Sequence, residues 1–89
     1  MAQQVSDLRR QLTLAGRAAV SSEPHQAERH LAEALAILDE SLDPQLVSKQ
    51  SARVMHKRID QAAILVRRGE NNRALVALRS ALDETKEAS

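Results

Sequence analysis

The chain has 89 residues and a formal net charge of +1, and it is 43% hydrophobic without a single Phe, Tyr, Trp or Cys. That composition excludes thiol nucleophiles, thiolate metal ligands, disulfides and aromatic platforms for bases or quaternary amines. The near-neutral charge gives no electrostatic case for nucleic acid or an acidic membrane as the main partner, and two glycines do not make a glycine-rich phosphate loop.

Ala and Leu supply most of the hydrophobic content, and both are strong helix formers, so the composition predicts an all-α protein with a thin aliphatic core. A first helix is predicted over about residues 3–20. Val5, Leu8, Leu12, Ala15 and Ala19 recur at steps of three and four and share one face. Gly16 interrupts this face at a cost of up to ~1 kcal/mol against Ala; a close helix crossing and chance both account for it.

Ser21-Ser22-Glu23-Pro24 is a break followed by a start. Ser22 is a candidate cap, and Pro24 suits a first turn because its missing N–H would be unpaired there anyway. The second helix, residues 24–42, carries Ala27, Leu31, Ala34, Leu35, Leu38 and Leu42 on one face.

Asp43-Pro44 is the clearest local signal: Asp offers the N-cap oxygen, and Pro takes the first helical position with its φ already set. The third helix is predicted from Pro44 to Arg68, about 25 residues and ~37 Å long at 1.5 Å per residue. Gly69 follows as the left-handed residue past its end, and Arg67 and Arg68 complement the helix dipole in its last turn. Its stripe is Val47, Ala52, Met55, Ile59, Ala62, Ala63 and Val66, widened by Ile64 and Leu65. A fourth helix over about residues 71–86 presents Ala74, Leu75, Leu78, Ala81 and Leu82.

Short connections predict antiparallel neighbours, arranged as an up-down bundle or as two stacked helical hairpins within a single domain, 1–89. The predicted core is Leu8, Leu12, Leu31, Leu35, Leu38, Met55, Ile59, Val66, Leu78 and Leu82. Ala36–Glu40 (AILDE) also echoes Ser80–Glu84 (SALDE) 44 residues later. A repeated hairpin and the general likeness of Ala/Leu helices both explain this echo.

In residues 62–84, AAILVRRGENNRALVALRSALDE, Gly69 stands at the inter-helix turn, Ala74 and Ala81 fall on two small positions of the second helix, and Leu78 falls on the large position between them. This quarter of the chain resembles a tetratricopeptide-repeat hairpin. Ala27, Leu31 and Ala34 match in the first half, with Ser22 where the family has glycine. The family's aromatic positions hold no aromatics, and Ala27 to Ala74 spans 47 residues against the family's 34. The resemblance implies a scaffold that binds peptides or partner proteins.

The polar residues build no recognisable active site. His30 with Glu33, and His56 with Asp60, have spacings that suit two ligands on one metal, but a site needs three or four converging groups. Both pairs read more simply as contacts across one helical turn. No Glu-x-x-His occurs, which excludes a di-iron carboxylate bundle. His56-Lys57-Arg58 lacks the His-x-x-Lys-Gly pattern of a phosphotransfer bundle. The serines fall at caps, turns and helix surfaces, and Asp39, Glu40, Asp83 and Glu84 fall at solvated helix ends. The reading is a non-enzymatic protein without cofactors.

Charge is the pattern that stands out. Residues 22–43 carry one cation, Arg29, against six carboxylates, whereas residues 44–69 carry six cations against Asp60 alone. Complementary charge flanking an intramolecular seam explains this. So does an exposed basic stripe, Lys49, Arg53 and Lys57 at i, i+4 and i+8, that meets an acidic partner.

Leu14, Leu46, Ile64, Leu65 and Val76 lie off the main stripes and would form an apolar patch, rimmed by Arg53, Lys57 and Arg58. The expected protein is thus a small helical adaptor, chaperone-like or inhibitor-type module. It binds another protein through Lys49, Arg53, Lys57, Arg58, Leu65 and Val76, the partner presenting an acidic or amphipathic helix. A thin core without aromatics keeps a homo-oligomer open. The alternative is a nucleic-acid-associated protein that recruits the same stripe with Gln50, Arg53 and Arg58. With no stretch of 18 apolar residues and no hydrophobic core in MAQQVSDLRRQ, the expected location is the cytoplasm, off the membrane.

Overall fold

Helix α1 spans Ala2–Val20, α2 spans Pro24–Ala36 and runs on through a π turn at Ile37–Ser41, α3 spans Lys49–Arg67, and α4 spans Asn71–Glu87. These elements come from a computed structural model that describes residues 2–41 and 48–87, with side chains described over residues 5–40 and 48–85. Leu42, Asp43, Pro44, Leu46 and Val47, including the predicted Asp43 cap, lie outside the described residues.

Two turns of one design join the helices in pairs. After α1, Ser22 N–H donates to the Ala19 carbonyl at 3.2 Å and Glu23 N–H donates to the Ala18 carbonyl at 2.9 Å. After α3, Gly69 N–H donates to the Val66 carbonyl at 3.0 Å and Glu70 N–H to the Leu65 carbonyl at 2.9 Å. Both are Schellman closures, which satisfy otherwise unpaired helix-end carbonyls and place the residue past the helix in the left-handed region. Gly69 has φ 77° and Ser22 has φ 58°. Ser22 therefore ends α1 and does not cap α2. The N-cap of α2 is Glu23, whose side chain makes no capping bond, with Pro24 following in the first turn.

Helix α3 begins at Lys49, later than the Pro44 start expected from sequence. Ser48 is extended, with φ −63° and ψ 155°, and its hydroxyl accepts the Ser51 N–H at 3.1 Å. A residue in that conformation cannot be interior to a helix, so the cap belongs to Ser48 and the helix has 19 residues.

The core is aliphatic throughout. Leu8, Leu12, Leu31, Met55 and Ile59 are fully buried, and Val66 and Leu78 join them. Nine alanines fill the helix crossings: Ala15, Ala18, Ala19, Ala27, Ala34, Ala62, Ala74, Ala77 and Ala81. Leu35, Leu38 and Leu82, expected in the core, are half-buried and pack against its edge. Thr85 is buried instead, its hydroxyl donating to the Leu82 carbonyl at 2.6 Å, so the polar atom is satisfied within its own helix.

The four helices pack in the cyclic order α1, α2, α3, α4. Glu28, early in α2, pairs with Arg67 at the end of α3, while Asp39 in the π turn lies 3.7 Å from His56 in the first half of α3. Contacts matched from opposite ends mean that α2 and α3 run in opposite senses. Gly16 of α1 faces Leu75 and Leu78 of α4, and a Cβ there would sit 3.4 Å from Leu75 Cδ2. Gly16 thus serves the close α1–α4 approach. No helix among the described residues is long and apolar enough to cross a membrane.

The two hairpins correspond position by position at a shift of 47 residues. Leu8 and Met55, Leu12 and Ile59, Ala15 and Ala62, Ala19 and Val66, Ala27 and Ala74, Leu31 and Leu78, Ala34 and Ala81 are all buried pairs. The turns obey the same shift: Ser22 matches Gly69, Glu23 matches Glu70, and each glutamate's carbonyl accepts from the alanine four residues on at 3.0 Å. The 44-residue echo noted in the sequence is not the structural register, because it aligns neither the turns nor the buried alanines.

Candidate functional site

On α3 the buried stripe Met55, Ile59, Ala62 and Val66 faces the core. A step of 100° per residue puts Arg58 and Leu65 on the flank beside this stripe, toward α4. Lys57, one residue before Arg58, falls on the outward surface with Ile64. Neighbours in sequence are thereby split between two surfaces.

On the α4 side, Arg58, Gln61 and Leu65 meet Arg73, Val76, Ala77 and Ser80 across a groove of about 590 Å³. Ala77 is buried, Leu65 is half-buried and packed on the core, and Val76 stands 68% exposed. Three of the six residues expected to bind a partner, Arg58, Leu65 and Val76, come together here.

The polar groups of the groove are cationic or neutral. Arg58 Nη1 donates to Gln61 Oε1 at 3.3 Å, whereas Arg58 Nε, in an otherwise half-buried side chain, is buried without a hydrogen-bond partner among the described residues. Arg73 Nη1 pairs with Glu70 Oε1 at 3.2 Å, one helical turn away and largely in solvent.

The remaining expected residues lie elsewhere. Lys49, Arg53 and Lys57 are exposed, do not line the groove, and enter no ion pair among the described residues. Arg53 and Lys57 therefore do not rim the apolar patch; Arg58 and Arg73 do. Ile64 is exposed on the outward side of α3, Leu14 is half-buried on α1, and Leu46 lies outside the described residues. The patch reduces to Leu65 and Val76.

The charge contrast between α2 and α3 is met at their seam by Arg67, whose Nε–H donates to Glu28 Oε1. His56 lies 3.1 Å from Asp60 and 3.7 Å from Asp39. Among the described residues no group of three or more His, Asp or Glu converges to hold a metal ion.

Gln61, Arg73, Ala77 and Ser80 escape the sequence reading. The signal that finds them is the 47-residue shift, which matches Arg58 to Gln11 and Ala77 to His30. Between α1 and α2, His30 Nδ1–H donates to Gln11 Oε1 at 2.8 Å, so a side-chain pair bridges that seam. Between α3 and α4 the matching pair is Arg58 and Ala77, and Ala77 has no ring with which to bridge.

A second groove, about 480 Å³, lies between α1 and α4, lined by Leu12, Gly16, Val20, Leu75, Leu78 and Leu82 with Thr13, Arg17 and Arg79. Val20, 65% exposed, stands at its edge. At the matching seam between α2 and α3, the partners of Val20 and Leu75 are Arg67 and Glu28, which close it by their ion pair.

No family model, curated protein or solved structure matches the chain.

Proposed function

We propose that this protein is a non-enzymatic interaction module that docks an amphipathic helix of another protein in the groove between α3 and α4. The observation that carries the reading is the convergence of apolar Leu65, Val76 and Ala77 with Arg58, Gln61, Arg73 and Ser80 along one concave strip. An apolar floor with a few convergent polar groups is the usual make-up of a binding site, and a strip between two helices fits a third helix laid along it. The tetratricopeptide-like features of residues 62–84 belong to the same hairpin, and the cytoplasmic location belongs to the same reading.

The test is quantitative affinity capture with the wild-type chain beside Val76→Glu. Val76 is exposed enough that the charge leaves folding intact, which circular dichroism verifies. A protein retained by the wild type and lost by the variant supports the docking groove. An identical set of captured proteins for both chains refutes it.

A second reading rests on a separate observation, the exposed row Lys49, Arg53 and Lys57, which enters no ion pair among the described residues. It makes the chain a nucleic-acid binder whose affinity falls steeply with salt. A flat anisotropy titration against labelled DNA and RNA at low salt removes it.

A further inference from the structure

The two hairpins share their core and turns, so the side chains at which they differ show what the second groove lacks. All seven lining positions differ between the hairpins, and five of the differences change a charge or remove a ring. Gln11 of the first hairpin corresponds to Arg58, Gln26 to Arg73, Glu33 to Ser80, Arg29 to Val76 and His30 to Ala77. The first two changes each add a positive charge, the third removes a negative one, the fourth removes a positive one, and the fifth removes a ring. Relative to its counterpart the α3–α4 groove therefore gains two positive charges and lacks the ring over Ala77, and no carboxylate is among its lining residues. Its buried donor, Arg58 Nε, has no partner among the described residues, whereas the matching Gln11 side chain is engaged by His30.

From this negative image we infer that the groove takes a carboxylate side chain of the docked helix, seated over Ala77 between Arg58 and Arg73. The inference rests on the docking reading above and names the residue that makes it selective. In the proposed complex Arg58 presents its Nε–Nη edge to the groove. A carboxylate then accepts two parallel N–H bonds from that edge, the fork geometry that Arg offers and Lys does not. Arg73, which pairs with Glu70 in the free chain, adds charge complementarity from the opposite wall. Apolar side chains one turn to either side of the acid rest on Leu65 and Val76. Side chains three and four residues apart on a helix share one face, so the recognised element is an Asp or Glu flanked at i±3 or i±4 by Leu or Met.

The probe is a pair of fluorescein-labelled, end-blocked Ala-based helical peptides of 16 residues, each with Leu on either side of a central Glu or Gln. Binding to the full chain is read by fluorescence polarisation and placed by amide chemical-shift changes. The Glu peptide is expected to bind about tenfold tighter than the Gln peptide at low salt, the worth of one charge-assisted hydrogen bond over a neutral one. Arg58→Lys is expected to reduce that ratio severalfold, and Arg58→Met to bring it close to one. Ala77→His, which rebuilds the first hairpin's side chain in the second, is expected to abolish binding of both peptides; because Ala77 is buried it also lowers the melting temperature, and circular dichroism verifies that the variant is folded at the assay temperature.

Equal binding of the two peptides at the groove by the wild-type chain overturns the carboxylate inference and leaves the docking reading standing. That comparison needs no protein variant, so it holds even where an Arg58 substitution fails to fold. Absence of any groove shift with either peptide at millimolar concentration overturns the docking reading and the inference together.

Discussion

The matched turns allow a backbone effect to be measured almost free of packing. Gly69 has φ 77°, and a Cβ built on it meets no atom within 4 Å. The Gly69→Ala change therefore creates no clash, and its cost is the conformational one. An L-residue in the left-handed region costs roughly 1–2 kcal/mol. Replacing glycine also restricts the unfolded chain, which returns roughly 0.4–1 kcal/mol. The net expectation is a destabilisation of about 0.5–1 kcal/mol. Ser22, at φ 58°, already bears that strain. Ser22→Gly is accordingly expected to stabilise by a similar amount. For a domain of this size about 1 kcal/mol shifts the melting temperature by about 4–8 °C. The two variants should thus move by several degrees in opposite directions. The exchange of both residues, Ser22→Gly with Gly69→Ser, should return to within about 0.5 kcal/mol of the wild type if the two turns act independently. Circular dichroism at 222 nm during heating and in urea is the assay, since the chain has no Trp or Tyr to report by fluorescence. A lower melting temperature for Ser22→Gly, or a higher one for Gly69→Ala, would refute the assignment of both turns.

Leu31→Ala and Leu78→Ala sit at matching, buried positions, and each should cost about 2–5 kcal/mol in urea unfolding, with similar values for the two. Ser48→Ala should cost about 0.5–2 kcal/mol and speed amide exchange in the first turn of α3; unchanged stability and exchange would move the start of α3 away from Lys49. Glu28→Gln should cost no more than about 1 kcal/mol, because Arg67 is 70% exposed, and the loss should vanish in 1 M salt.

Legibility in the sequence followed the strength of the local signal. Gly69 was readable because glycine alone takes a left-handed residue without strain, and Leu8, Leu12, Met55 and Ile59 because the 3.6-residue period repeats over several turns. Ser22 was not, since nothing local distinguishes a serine that caps the next helix from one that closes the last. The cap at Ser48 was hidden behind Asp43-Pro44, a stronger pattern a few residues earlier. Ala18 and Ala77 adjoin stripe positions in Ala-rich helices, and only the depth of a helix crossing shows that they are buried. In the site, the sequence points to Arg58, Leu65 and Val76, but it sets Lys57 and Arg53 beside Arg58 only by proximity along the chain, which a 100° helical step undoes. Arg73, Ala77 and Ser80 needed the register of α4 against α3, and no local signal sets that register.

A chain built of two corresponding hairpins separates what the fold requires from what it leaves over. The buried leucines and alanines and the paired Schellman turns recur in both halves because each hairpin must bury the same kind of face and close the same kind of turn. Gln11 with Arg58, and His30 with Ala77, fall outside the shared buried pairs, although Ala77 itself is buried in its own hairpin. His30 and Gln11 settle their seam with a hydrogen bond made inside the chain. Arg58 and Ala77 leave theirs with a buried N–H that no described residue accepts. Folding alone would be served better by the first arrangement, because an unpaired buried donor is a cost without a structural return. On the proposed function, a carboxylate of the docked helix completes the second arrangement, and the seam that the fold leaves open is where selectivity would arise.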